Sequence, residues 1–184
     1  MRRLMVPIAL LSTLLYSVPS SAKDGEHARA HEEIRVRVML AFQTLYGVDG
    51  PFIGDANPIR GIPGDEAPWE IARGVIGKLF TDGHLLLHVR GLVFKDSPLV
   101  QPPSLIGTND ASEFRAIVSC LTEQGDATPF VNAMSGNFPA DEKGNSDIDD
   151  HLDLPNPCVA PIVFILPGDE FKWFAVTGFE AEED

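Results

Sequence analysis

The stretch WEIARGVIGKLFTDGHLLLHVRGL occupies residues 69–92, and its reading decides how the rest of the chain is understood. Two apolar-rich runs flank Thr81-Asp82-Gly83. These residue types tolerate the positive φ of a tight reversal, so the segment predicts a β-hairpin. In the second arm Leu85, Leu87 and Val89 fall on one face, while His84, Leu86, His88 and Arg90 fall on the other. That two-residue period describes a strand with one face in a core and one partly wet.

Working outward, the same signals recur downstream. A proline-marked connection over residues 96–112 leads to a run of strand formers at 114–122 that carries Cys120. Shorter candidate strands follow at 129–138 and 148–154. A continuous apolar run at 161–166 then meets a Pro167-Gly168-Asp169 turn. Beyond it, residues 171–179 place Phe171, Trp173, Ala175 and Phe179 on one face, which predicts a second hairpin. Upstream, Ile34, Val36, Val38, Leu40 and Phe42 alternate with Arg35, Arg37, Met39, Ala41 and Gln43, as a strand does. An amphipathic helix with Val38, Ala41, Phe42 and Leu45 on one face is the competing reading, and periodicity alone does not separate the two. Between this segment and the hairpin, nine of the 22 residues at 47–68 are glycine or proline, the mark of a long irregular loop.

Turn signals at short intervals and the lack of a run of helices after residue 47 predict an all-β fold. We expect a single β-sandwich, or a partly closed barrel, of about seven or eight mostly antiparallel strands over residues 34–179. Neither strand–helix alternation nor a glycine-rich phosphate loop is present, which argues against dinucleotide cofactors. Lysine and arginine number 14 against 27 acids, a formal charge of -13 that repels a phosphate backbone, so nucleic acid is not an expected partner.

The first residues read as a secretory signal peptide over 1–22. Arg2 and Arg3 precede an apolar run from Leu4 to Tyr16, and Ser20, Ser21 and Ala22 offer a cleavage site. That run falls short of the ~20 residues that cross a bilayer as a helix, so no transmembrane segment is expected in the mature form. A flexible mature N-terminus at 23–33 and an acidic tail at 180–184 complete the organisation. The protein is therefore expected in a secreted or periplasmic location. In such an oxidising compartment Cys120 and Cys158 most simply form one disulfide.

The candidate chemistry is sparse. On a strand His84 and His88 stand ~13 Å apart at about 3.3 Å per residue, so they cannot share one zinc ion. His27 and His31 have helical ligand spacing beside the cleavage point, where chains fray, and His151 stands among acids. The carboxylates of 141–153 suggest at most a weak calcium site at Asp147, Asp149 and Asp150. An EF-hand register from Asp141 fails there, because it puts Lys143 and Leu152 at ligand positions. The Gly-x-Ser-x-Gly and His-Glu-x-x-His motifs are both missing.

The 47–68 loop and its exit, with Phe52, Asp65, Glu66, Trp69 and Glu70, form the candidate binding surface. The alternative for this loop is a plug that buries Phe52 and Trp69 at one end of the sandwich. Two functions stay open on these residues. One is a non-catalytic binding or structural module with an unknown ligand or envelope partner and no cofactor beyond calcium. The other is a small secreted hydrolase that uses carboxylates around Trp69 on glycans.

Overall fold

A computed structural model describes residues 35–123 and 129–179. The expected signal peptide over 1–22, the 23–33 segment with His27 and His31, Ile34 and the 180–184 tail lie outside the described residues. Among the described residues ten strands build two antiparallel sheets packed on one core. They are β1 Val38–Phe42, β2 Leu45–Gly47, β3 Trp69–Phe80, β4 His84–Phe94, β5 Glu113–Leu121, β6 Phe130–Met134, β7 Phe138–Pro139, β8 Ser146–His151, β9 Val159–Pro167 and β10 Ala175–Thr177. Sheet I has the order β1-β3-β4-β8, and sheet II the order β2-β10-β9-β5-β6, with β7 also pairing β5. Neither sheet closes on itself, so the fold is the expected sandwich and not a barrel. The strand count exceeds seven or eight because β2 at Leu45–Gly47, beyond the expected 34–43 strand, joins sheet II, and because Ser135–Asn137 divides the expected 129–138 strand into β6 and β7.

The 69–92 hairpin forms as its period demands. Leu79 pairs with Leu85 across the turn and Trp69 with Phe94 at the far end. Leu85, Leu87 and Val89 are wholly buried, whereas His88 on the other face is exposed. Gly83 has φ +89, and a Cβ there would come 2.1 Å from the Leu152 carbonyl oxygen. The Leu152 amide donates to the Gly83 carbonyl at 2.9 Å, so the turn is locked to the end of β8. The 34–43 segment is a strand over its second half only. Val36 and Val38 are exposed, because β1 is an edge strand whose register shifts between Val38 and Leu40.

The C-terminal hairpin departs from a simple alternation. Phe171 and Phe179 are 46% and 75% exposed, whereas the adjacent Trp173 and Phe174 are both buried. The strand begins only at Ala175, so residues 171–174 do not alternate. Trp173 instead forms a parallel bridge with Gly64 of the long loop, and Phe174 stacks on Trp69 with centroids 3.8 Å apart. Cys120 and Cys158 are disulfide-bonded, with Cα atoms 4.9 Å apart. Among the described residues no helix is long and apolar enough to cross a membrane.

Candidate functional site

The 47–68 loop turns its apolar residues inward. Val48 and Ile62 are wholly buried, and Phe52, Ile53 and Ile59 pack half-buried against the core. Gly47 admits the close crossing at its base, since a Cβ there would lie 2.0 Å from the Trp69 carbonyl oxygen. Arg60 ties the loop to sheet II, donating from Nη1 to the Ser119 carbonyl at 2.6 Å and from Nη2 to the Ala160 carbonyl at 2.8 Å. Phe52 lies against Trp173 with centroids 6.2 Å apart. What the loop leaves to water near its exit is acidic: Asp65 and Glu66.

Trp69 is 1% exposed, so its ring presents no face to a ligand. It stacks on Phe174 and packs against Phe94, with centroids 3.8 Å and 4.1 Å away. Its Nε1 donates to Asp65 Oδ2 at 2.8 Å, and the Ala67 amide donates to the same oxygen at 3.3 Å. These bonds hold the Asp65 carboxylate at the edge of the Trp69 ring. There it shares a depression of about 220 Å³ with Asp110, Asp169 and Glu170, lined also by Trp69, Phe94 and Phe174. Three stretches of chain meet at this point: the end of the long loop, the connection before β5 and the turn after β9. One carboxylate oxygen each from Asp65, Glu66 and Glu170 lie within 4.8 Å of one another. Glu66 also receives the Lys172 ammonium. Partial burial, reinforced by the negative charges of Asp65 and Asp169, pushes the Asp110 carboxyl above the ordinary carboxylate range.

Two of the expected loop residues, Asp65 and Glu66, thus meet carboxylates from elsewhere in the chain. Phe52 contributes packing, and Glu70, next along a strand from the inward Trp69, leaves on the opposite face and does not line the depression. Asp110, Asp169 and Glu170 carry no local pattern that would single them out, since their meeting with Asp65 depends on tertiary folding.

The three calcium candidates do not converge. Asp147 accepts from His88 Nδ1 at 2.7 Å and Arg90 Nη2 at 2.6 Å. Those two hydrogen bonds hold its carboxyl below the usual range. Asp149 pairs with His84 Nε2 at 2.8 Å, while Asp150 accepts from the Gly136 amide at 2.8 Å on the other side of the strand. The neighbouring Asp141 caps its own turn. Its carboxyl is held low first by the backbone and side-chain hydrogen bonds from Asn145 and then by the Lys143 amide. No protein family, curated protein or solved structure matches the chain.

Proposed function

We propose that this is an exported, non-catalytic β-sandwich binding module that takes a positively charged ligand in the carboxylate-lined depression beside the long loop. The observation that carries the reading is the convergence of Asp65, Asp110, Asp169 and Glu170 from distant parts of the chain. Partial burial first, and then the negative charges of Asp65 and Asp169, make Asp110 hold its proton more tightly. A bound cation relieves the repulsion between those charges and recovers the electrostatic energy in binding. Export is supported by the basic-then-apolar start of the sequence and by the disulfide.

The test titrates the full chain separately with calcium and with a lysine-rich peptide, following amide shifts by NMR. Saturable shifts at Asp65, Asp110 and Glu170 are expected, lost in Asp65→Asn with Glu170→Gln. Failure of both probes to move these amides sinks the reading.

A carboxylate-dependent hydrolase acting on glycans is the second reading, and one observation favours it. Asp110 with a raised pKa beside Asp65 and Asp169 resembles the unequal pair that glycosidic cleavage requires. The buried Trp69 offers no sugar-stacking surface, which weighs toward binding. Turnover of any glycan by the wild type, abolished in Asp110→Asn, would replace the binding reading with this one.

A further inference from the structure

The outer face of sheet I carries a cationic trough, unrelated to the acidic depression. The ladder between β3 and β4 slips between Ile71 and Gly74, and this irregularity brings Arg73 beside Gly91. Gly91 has φ +82, and a Cβ there would come 3.1 Å from the Arg73 amide nitrogen and 3.3 Å from its Nε. The bare backbone at 91 thus lets the Arg73 side chain pass close over the sheet. Gly74 pairs with Arg90 and Ile76 with His88, which sets those side chains next to Arg73 on the solvent side. With Gln43, just beyond β1, they line an open trough of about 570 Å³. Acids outnumber lysine and arginine 27 to 14 along the chain, yet among the described residues no carboxylate lines this trough.

We propose that Arg73, Arg90, His88 and Gln43 form a binding site for a sulfate or phosphate ester carried on a hydroxyl-bearing, sugar-like body. Guanidinium forks suit the spread oxygens of such an anion. Arg90 is held before any ligand arrives: its Nη1 donates to the Val89 and Ser146 carbonyls at 2.7 Å and 3.0 Å, and its Nη2 to Asp147 Oδ1 at 2.6 Å. Arg73 donates from Nη2 to the Lys143 carbonyl at 3.1 Å, which leaves its Nη1 and Nε without a hydrogen-bond partner among the described residues. Donors fixed in advance lower the ordering cost of binding. His88 Nδ1 is taken by Asp147 Oδ1 at 2.7 Å, so Nε2 is the nitrogen left for a ligand. It accepts from a hydroxyl when the ring is neutral and donates to the ester when the ring is protonated. Gln43 adds an amide that both donates and accepts. Ile76, 54% exposed, offers an apolar surface to the C–H face of a sugar ring.

The nearest acids stand behind the two arginines. Asp141 and Asp147 line a neighbouring hollow on the other side of Arg73 and Arg90, and from there Asp147 fixes Arg90 and His88. The same sheet face supplies its own control. Lys78 also points outward, but it pairs with Ala41 and Leu86 further along the strands and does not line the trough. Its removal tests whether anions are drawn to this face in general.

The experiment follows amide shifts of the full-length protein by NMR in about 0.15 M sodium chloride, where long-range attraction is screened. Glucose-6-sulfate and glucose-6-phosphate are titrated separately, with glucose as the neutral probe. Saturable shifts at Gly74, Ile76 and His88 are expected with at least one ester, and the tighter ester names the anion. Glucose should leave these amides in place. Affinity for the ester should fall at least about fivefold in Arg73→Gln and in Arg90→Gln. It should stay within about twofold of wild type in Lys78→Gln. Melting curves of each variant separate loss of the site from loss of the fold. Should Arg90→Gln fail to fold, Arg73→Gln carries the test, because that side chain is exposed. The proposal is overturned if neither ester binds, if glucose binds as tightly as its esters, if affinity is unchanged in Arg73→Gln, or if Lys78→Gln loses as much as Arg73→Gln.

Discussion

The two sheets bury their strands in opposite ways. In sheet I, β4 alternates: Leu85, Leu87 and Val89 are sealed while His84, Leu86, His88 and Arg90 reach outward. In sheet II, consecutive residues Val163, Phe164, Ile165 and Leu166 of β9 are all wholly buried, as are Ala116, Ile117, Val118, Ser119 and Cys120 of β5. A strand sealed on both sides needs a cover on each. One cover for sheet II is the 47–68 loop, pinned by Arg60 and by the aromatic contact of Phe52 with Trp173. The loop therefore serves the core with its apolar residues. Polar and charged side chains are left to the outer face of sheet I and to the acidic rim where the loop ends.

The strongest way to break this contrast is Trp173→Ala. Trp173 is fully buried between the loop and sheet II, so truncation should cost about 3–5 kcal/mol in urea denaturation. Lys78→Ala on the exposed face of sheet I should stay within about 0.5 kcal/mol. Comparable losses would mean that both sheets are equally open. Next in size is the Cys120–Cys158 bridge, whose sequence separation of 38 corresponds to about 4 kcal/mol of loop entropy at most. Denaturation of the double alanine variant against the oxidised wild type measures it. A loss under ~1 kcal/mol would show that the 120–158 segment is held by β-pairing alone.

Smaller effects should carry opposite pH signatures. Asp110 has a raised pKa in the folded state, so the native protein binds more protons than the unfolded chain as pH rises through the carboxylate range, and stability falls. Asp110→Asn should consequently raise the melting temperature at pH 7, with the gain vanishing below pH ~4, where both side chains are neutral. An unchanged melting temperature at pH 7 would show that neither burial nor the neighbouring carboxylates penalise the charged Asp110. Asp147 has the reverse sign, because hydrogen bonds from His88 and Arg90 hold its pKa down. Its contribution is present above pH ~4 and is lost as pH falls through the folded value. Asp147→Asn should cost a few tenths of a kcal/mol at pH 7, as exposed pairs do, and nothing at pH 2. A cost that persists in acid would point to packing and not to charge.

Legibility followed the range of the interactions. The 69–92 hairpin could be read because each residue's face depends on its neighbours two positions away. The same rule misplaced Phe171 and Phe179, since residues 171–174 answer to Gly64 and Trp69 and not to a ladder of their own. Asp65 and Glu66 stood out for their nearness to Trp69, whereas Asp110, Asp169 and Glu170 reach them only through the folded chain. His151 looked isolated among acids, and only its register on β8 brings it to His84.

By itself, then, the sequence determined the β class, the hairpin reversal at Asp82-Gly83, the pairing of the two cysteines and the separation of His84 from His88. Each of these depends on covalent spacing, residue conformational preference or the absence of any other partner. Only the tertiary structure decided that β1 and β2 belong to different sheets, that the long loop covers sheet II, that carboxylates from three segments share one depression, and that two histidines 67 positions apart lie ring on ring. Those outcomes depend on strand register and loop closure, which are selected by the simultaneous packing of the whole core and leave no periodic trace along the chain.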